Sequence, residues 1–374
     1  MRGNRFQRGL ALTGLAGIAL SATLLANPVT ARAELPAEPA KPAATATITH
    51  TNSLSTAVTK LMKGSGVKAE AKALEAYWTP ARMKAAKSMD RSATITRSGT
   101  APEQQQRLNR PEGTSGSVAP AVTTKAPRAV LPPKAPRAAT LPKGTSNSRE
   151  AQAYYPGLPY NHPAARTNGK VFFTRGGLNY VCSATIVNSE GKSLVWTAGH
   201  CLADYKSWSY NVSFVPSYSN GSRPYGTWYA RTLTTTSAWF YNRSFSDDVG
   251  AATMNRNFGW RIADYLGAQG IMWNQSANFY ANAFGYPAAS PYNGAYLVQA
   301  NGSTYNPGNG TIYMYSGLTG GASGGAWYRN FNGSWGYVNG HNDFIYTNSP
   351  AWMYSPYYGN QVASLYNAVR YQSS

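Results

Sequence analysis

The chain has 374 residues and a net charge of +20, yet only 13% of its residues are charged and 43% are hydrophobic. That length allows two or three domains, and 27 Tyr with 10 Trp suit short strands and tight turns better than long helices. The basic excess is concentrated before residue 166, where 22 Lys and Arg face 8 Asp and Glu. These cations are scattered among Ala, Pro and Thr with no aromatic interleaving, which argues against a nucleic-acid-binding surface.

At the N-terminus, Arg2, Arg5 and Arg8 precede an apolar run from Leu10 to Ala26, followed by the small-x-small triplet Ala31-Arg32-Ala33. This is the pattern of a secretory signal peptide over 1–33, cut after Ala33. The alternative is an uncleaved membrane anchor, but the run contains Gly and Ser and ends in a good cleavage site. No other stretch has the ~18 apolar residues needed to cross a bilayer, so a secreted, extracellular product with no membrane span after signal removal is expected. In that oxidising setting Cys182 and Cys201, the only two cysteines, read as one disulfide.

Residues 34–165 read as a pro-segment and Ala/Pro/Thr-rich linker, largely disordered because such a composition buries too little apolar surface to offset its ordering entropy. Two windows within it, Leu54 to Met62 and Ala69 to Trp78, carry helical spacing. Pro80 is expected to interrupt or restart a helix, with a further turn or two over Arg82 to Met89. Arg149 and Arg166 are candidate maturation positions. The other reading of 34–165 is a permanent flexible arm.

From Gly169 onward the pattern changes. Val171 to Thr174, Tyr180 to Val187 and Ser193 to Thr197 read as strands, and Gly/Asn/Ser clusters recur every 8–15 residues. This spacing predicts an all-β sandwich or barrel over 166–374. The exception is the end of the chain, where Val362, Leu365, Tyr366 and Val369 follow helical spacing within Asn360 to Tyr371.

Three short segments in this half carry chemistry. Thr197-Ala198-Gly199-His200-Cys201 follows an apolar strand and sets a histidine among small neighbours beside a cysteine. Asp247-Asp248-Val249-Gly250 puts Asp248 at the base of a small apolar strand, where a buried carboxylate needs a donor such as an imidazole N–H. Gly320-Gly321-Ala322-Ser323-Gly324-Gly325 leaves a hydroxyl uncovered and lets the N–H groups of Gly321 and Ser323 converge as an oxyanion hole. Each alone also fits an ordinary structural histidine, turn aspartate or Gly/Ser loop. Together they give the order His, Asp, Ser at separations of 48 and 75 residues, the chymotrypsin order rather than that of subtilisin or the α/β-hydrolases. A catalytic triad of His200, Asp248 and Ser323 follows, with no metal and no cofactor required.

On Val-Trp-Thr-Ala-Gly-His-Cys, Asp248-Val-Gly-Ala, Gly321-Ala-Ser-Gly-Gly and Phe284-Gly-Tyr-Pro, residues 169–371 resemble the trypsin-like serine peptidases, in particular the secreted bacterial branch that includes the glutamyl endopeptidases. Cys182 matches the family's partner cysteine. The resemblance implies two perpendicular six-stranded antiparallel β-barrels, about 166–258 and 270–358, a C-terminal helix at about 359–371, and an active site in the cleft between the barrels. It implies a monomeric secreted serine endopeptidase that cuts polypeptide substrates through an acyl-enzyme. Ala322 stands where animal trypsins carry the Asp that pairs with a new N-terminus, so removal of a pro-segment would act differently, by unblocking the cleft. By alignment Gly317 occupies the base of the specificity pocket, and His341 and Asn342 belong to its opposite wall, where the glutamyl endopeptidases use a His to meet a substrate carboxylate; His341 reads either as that residue or as a rim or structural histidine, and Asp343 would oppose an acidic substrate if it faced the pocket. Two rival functions remain on sequence: an extracellular binding protein that retains the triad, and an esterase.

Overall fold

The structure is a computed structural model that describes residues 46–89, 92–93, 113–123 and 153–374, all within one compact unit spanning Pro42–Ser374. The expected signal peptide and Arg149 lie outside the described residues.

The first half closes into a barrel of six antiparallel strands, each pairing with the next in space. Asn168–Arg175 pairs with Leu178–Ile186, which pairs with Leu194–Thr197. The circuit continues through Gly250–Met254, Trp228–Thr236 and Tyr210–Pro216 and returns to Asn168–Arg175. Alternation sends Val171, Phe173, Cys182, Ala184, Val195, Leu233 and Ala252 inward, where they form one buried cluster.

The expected second barrel takes the form of two sheets. Val298–Ser303, Tyr280–Gly285, Ala326–Arg329, Tyr337–His341 and Gly270–Trp273 make up the larger one, and Thr311–Tyr315, Ser349–Pro356 and Phe344–Tyr346 the smaller. Gly270–Trp273 runs parallel to its neighbour Tyr337–His341. The C-terminal helix is Asn360–Val369, and it buries Val362, Leu365, Tyr366 and Val369, the four residues whose spacing predicts it. They pack with Leu194, Trp196 and Val249, so the helix closes over the first barrel's floor and joins it to the second half.

Part of the segment expected to be structureless is ordered. Thr47–Thr51 pairs antiparallel with Thr232–Thr236, on the side of that long strand that Tyr210–Pro216 leaves open. Short helices follow at Thr56–Thr59, Val67–Tyr77 and Pro80–Ala85. Ser55 and Thr79 cap the first and third, and Pro80 starts the third at its first helical position, as its fixed φ favours. Helices this short are marginal in isolation. They persist because Val58, Leu74, Tyr77, Trp78 and Met83 bury against Phe172, Val181, Val215, Tyr218 and Tyr229 of the barrel. Two further pieces of the same segment add strands. Lys87–Ser88 pairs with Tyr180–Val181, and Ser92–Ala93 pairs with Ile345–Tyr346, both parallel. Gly116–Val118 pairs with Ile271–Trp273.

Candidate active site

The strand Leu194–Thr197 delivers its chain into a single helical turn, Gly199–Leu202, which carries His200. A disulfide between Cys182 and Cys201 ties this turn to the strand Leu178–Ile186. Gly199 is required by close approach: a Cβ there would lie 2.6 Å from Thr235 Oγ1 and 2.8 Å from Asp248 Oδ1.

Asp248 follows the short turn Phe245–Asp247 and precedes the strand Gly250–Met254. Its side chain and that of His200 are wholly buried. One carboxylate oxygen accepts from the His200 backbone N–H at 2.6 Å, and the other lies 2.9 Å from His200 Nδ1. The first bond fixes the acid against the turn that bears the imidazole, and the second sets the ring's orientation. A buried carboxylate held by two donors is the environment its burial demands.

Ser323 sits in a tight loop in which Ala322 N–H donates to the Thr319 carbonyl and Gly325 N–H to the Ala322 carbonyl. The loop is bound to the first barrel through Ser183, whose backbone N–H donates to the Ser323 carbonyl at 2.7 Å and whose hydroxyl donates to the Gly321 carbonyl at 2.9 Å. Cys201 Sγ lies 3.8 Å from that same Ser323 carbonyl, so the serine loop rests against the disulfide next to His200. Gly324 has φ +79°, and a Cβ on it would fall 2.0 Å from Thr197 Oγ1, so only glycine lets the loop dock this closely. The fold thus sets the His200 turn, bonded to Asp248, beside the Ser323 loop at the Cys182–Cys201 bridge.

The residues aligned to the specificity pocket are distributed differently. Gly317 has open space where a Cβ would point. Asn342 is buried and fully engaged, with its Nδ2 donating to the Phe284 and Ala322 carbonyls and its Oδ1 accepting from Trp327 Nε1. His341 is also fully buried; its Nδ1 is 2.9 Å from the Tyr358 hydroxyl, which accepts from Trp196 Nε1. Burial pushes its imidazole down to about 3, with the Asp248 charge opposing that shift and His200 adding to it. His341 therefore packs inside the fold near Asp248.

Asp343 turns inward as well. Its Oδ1 lies 3.3 Å from His200 Nδ1, with both side chains inaccessible to solvent. Among the described residues, His200, Asp248 and Asp343 each offer a ligand atom within 4.8 Å of the others; in the other such group Cys182 and Cys201 are joined in their bridge. The sequence pattern gave no sign of Asp343 at this place, since an Asp in Gly-His-Asn-Asp reads equally as a loop residue or a pocket wall. Arg166 is likewise occupied: it is buried, and its guanidinium donates to the carbonyls of Leu266, Asn161 and Thr123. A protease cutting after Arg166 would have to unfold that anchor first.

This architecture defines a class, the two-lobed β hydrolases that take histidine and acid from one half and serine from the other. No family model and no curated protein matches the chain. Among solved structures, protease Anisep from Arthrobacter nicotinovorans is 38% identical with a TM-score of 0.53, a match covering 56% of this chain and 97% of that one. The thermostable serine protease AL20 from an extremophilic microorganism is 36% identical with a TM-score of 0.53, covering 56% of this chain and 99% of that one. A Glu endopeptidase is 15% identical with a TM-score of 0.50 over 60% of this chain and 98% of its own, a likeness of fold. The chain belongs to the chymotrypsin-fold serine proteases, and its enzyme class is serine endopeptidase. No described helix is long and apolar enough to cross a membrane.

Proposed function

We propose that this chain is the precursor of a secreted, monomeric endopeptidase that cuts extracellular polypeptides with His200, Asp248 and Ser323 as its triad. The observation that carries this reading is the buried His200–Asp248 bond at 2.9 Å, adjacent to a serine loop held against the same disulfide. His200 takes the Ser323 proton as the hydroxyl attacks a peptide carbonyl, and returns it to the leaving amine. Asp248 holds the tautomer that makes this possible and stabilises the imidazolium. The N–H groups of Gly321 and Ser323 receive the oxyanion, and water then hydrolyses the acyl-enzyme.

The pro-segment, 34–165, keeps the enzyme latent in this reading. Its Lys87–Ser88 pairs with the strand that leads to Ser183, and its Ser92–Ala93 pairs with the strand that follows Asp343. Between them Met89 accepts at 3.2 Å from Arg175, whose other nitrogen donates to the His200 carbonyl at 2.6 Å. A polypeptide adding itself to either strand edge must displace this segment. Removal of the segment would free both strand edges for a substrate.

The test is labelling by a serine-directed phosphonofluoridate after removal of the pro-segment. Wild-type protein is expected to take one label on Ser323 and to cut peptides, and Ser323→Ala to fold, remain unlabelled and fall to background. Unlabelled wild-type protein would favour a binding protein, and turnover of simple esters without peptides would favour an esterase. Peptidase activity kept by Ser323→Ala would refute the triad.

A further inference from the structure

Between the docked leader and the barrel lies a cavity of about 620 Å³. Lys84, Lys87 and Ser88 line it from the leader, and Lys170, Asn220 and Asn293 from the enzyme body. No Asp or Glu is among its described lining residues. Three lysines therefore share one space with no carboxylate to balance them. Their approach is imposed by packing elsewhere. Met83, beside Lys84, is wholly buried against the barrel, and Lys87 is held by the pairing of its strand with Tyr180.

Lys170 is the member that exposure does not explain. It sits on the strand Asn168–Arg175 with only 4% of its surface accessible. An ammonium carries three N–H donors. One goes to the Gly294 carbonyl at 2.8 Å, and the Tyr218 and Phe172 rings lie 5.0 and 5.5 Å from the nitrogen. The aromatic faces offset part of the cost of burying the charge, but none of these partners is an anion. Burial pushes the ammonium down to about 8, which leaves it protonated at neutral pH. The polar side chains around it add donors. The Asn293 carbonyl oxygen accepts from the Ala295 N–H at 3.0 Å, which leaves its Nδ2 uncommitted. What the cavity lacks is an acceptor with negative charge. At roughly 30 Å³ per water it has room for such an ion and part of its hydration shell.

We infer that this cavity is a binding site for a small tetrahedral oxyanion, phosphate or sulfate, held by Lys84, Lys87 and Lys170 and joining the leader to the barrel. Two of the cations belong to the leader and one to the barrel, so the ion is shared across the seam. An ion that binds only when both parts are in place stabilises the docked arrangement by linkage. Release of the leader carries Lys84 and Lys87 away and dismantles the site. The site itself rests on the docking of the leader and not on the triad. Its consequence, a latency that strengthens with the oxyanion content of the medium, rests on the reading of 34–165 as a pro-segment.

The experiment titrates inorganic phosphate into the full chain carrying Ser323→Ala, at constant ionic strength, by calorimetry. One saturable site with a dissociation constant on the order of 1 mM is expected, with sulfate competing for it. Lys170→Met keeps the apolar stem between the two rings and removes the charge, and it should weaken binding by about tenfold or more. The pair Lys84→Ala and Lys87→Ala should do the same; both side chains are exposed, so their loss leaves the barrel intact and decides the matter should Lys170→Met fail to fold. Phosphate should also slow, severalfold, cuts within 46–89 by an added protease specific for aromatic residues, with no such slowing in the lysine variants or from sodium chloride at matched ionic strength. Absence of saturable binding, binding that survives the substitutions, or slowing by chloride equal to that by phosphate each overturns the inference. None of these readouts uses peptidase activity, so a failure of the peptidase reading is distinguished from a failure of the anion site.

Discussion

Replacement of Trp78 by alanine tests whether the ordered leader is a docked segment or part of one indivisible fold. Trp78 is fully buried, its indole N–H donates to the Asn211 carbonyl at 2.9 Å, and its ring lies 5.7 Å from Phe172 of the barrel. Truncating a buried Trp costs about 3–5 kcal/mol, and here it also removes one donor from the Asn211 carbonyl, leaving it the Ser213 hydroxyl at 3.1 Å. At about 1.4 kcal/mol per tenfold, the docking equilibrium should move toward release by roughly two to three and a half orders of magnitude. The variant is best made in the Ser323→Ala background, where self-digestion cannot confuse the outcome. Limited proteolysis read by mass spectrometry should then show early cuts within 46–89, while 166–374 survives. Amide exchange should quicken in Thr47–Thr51 and in its partner Thr232–Thr236. If leader and barrels instead lose protection together in one transition, Trp78 belongs to a single cooperative core and the docked-segment reasoning is refuted.

Three further outcomes follow from the site. Cys182→Ser should lower stability by about 3 kcal/mol, the loop-closure value for a bridge with a sequence separation of 19; an unchanged denaturant midpoint would show that packing alone holds the His200 turn. His341 should contribute acid sensitivity. Its folded value of about 3 lies below the ordinary 6.5, so between those two the unfolded chain takes up a proton that the folded chain refuses, and stability falls as pH drops through that window. His341→Gln should therefore lose less stability than wild type between pH 7 and pH 4, by an amount on the order of a few kcal/mol at most; equal losses in urea melts at the two pH values would refute the assignment. Ser323→Ala, made for the activity test, should melt within a degree or two of wild type, because its hydroxyl carries no part of the loop's backbone anchoring; a large drop would mean the loop depends on that side chain.

What could be read in the sequence was local in character. The His200 turn, the Asp248 strand base and the glycine-flanked Ser323 each announce themselves within six residues, because close backbone approach demands small neighbours at those spots. The C-terminal helix was legible from four apolar residues at helical spacing, and the restart at Pro80 from that residue's fixed φ. The docking of the leader was not legible. Val58, Leu74 and Trp78 look like sparse apolar residues in a polar stretch, and the surface that buries them comes from Phe172, Val181 and Val215, more than ninety positions later. The directions of His341 and Asp343 were left open in the sequence for a related reason. Both lie at the junction of two strands, where one residue of register decides whether a side chain faces a cleft or the interior.

The strand Thr47–Thr51 lies against the outside of a barrel whose own circuit is already complete. Peeling it away uncovers the main-chain groups of Thr232–Thr236, a bare ladder of the kind that recruits strands from other molecules. Processing would then trade one companion for an open seam. Five consecutive residues masked in this structure would then be bare to solvent, with Arg231 next to them at one end. In a chain stripped of this strand, that seam would be an edge open to self-association.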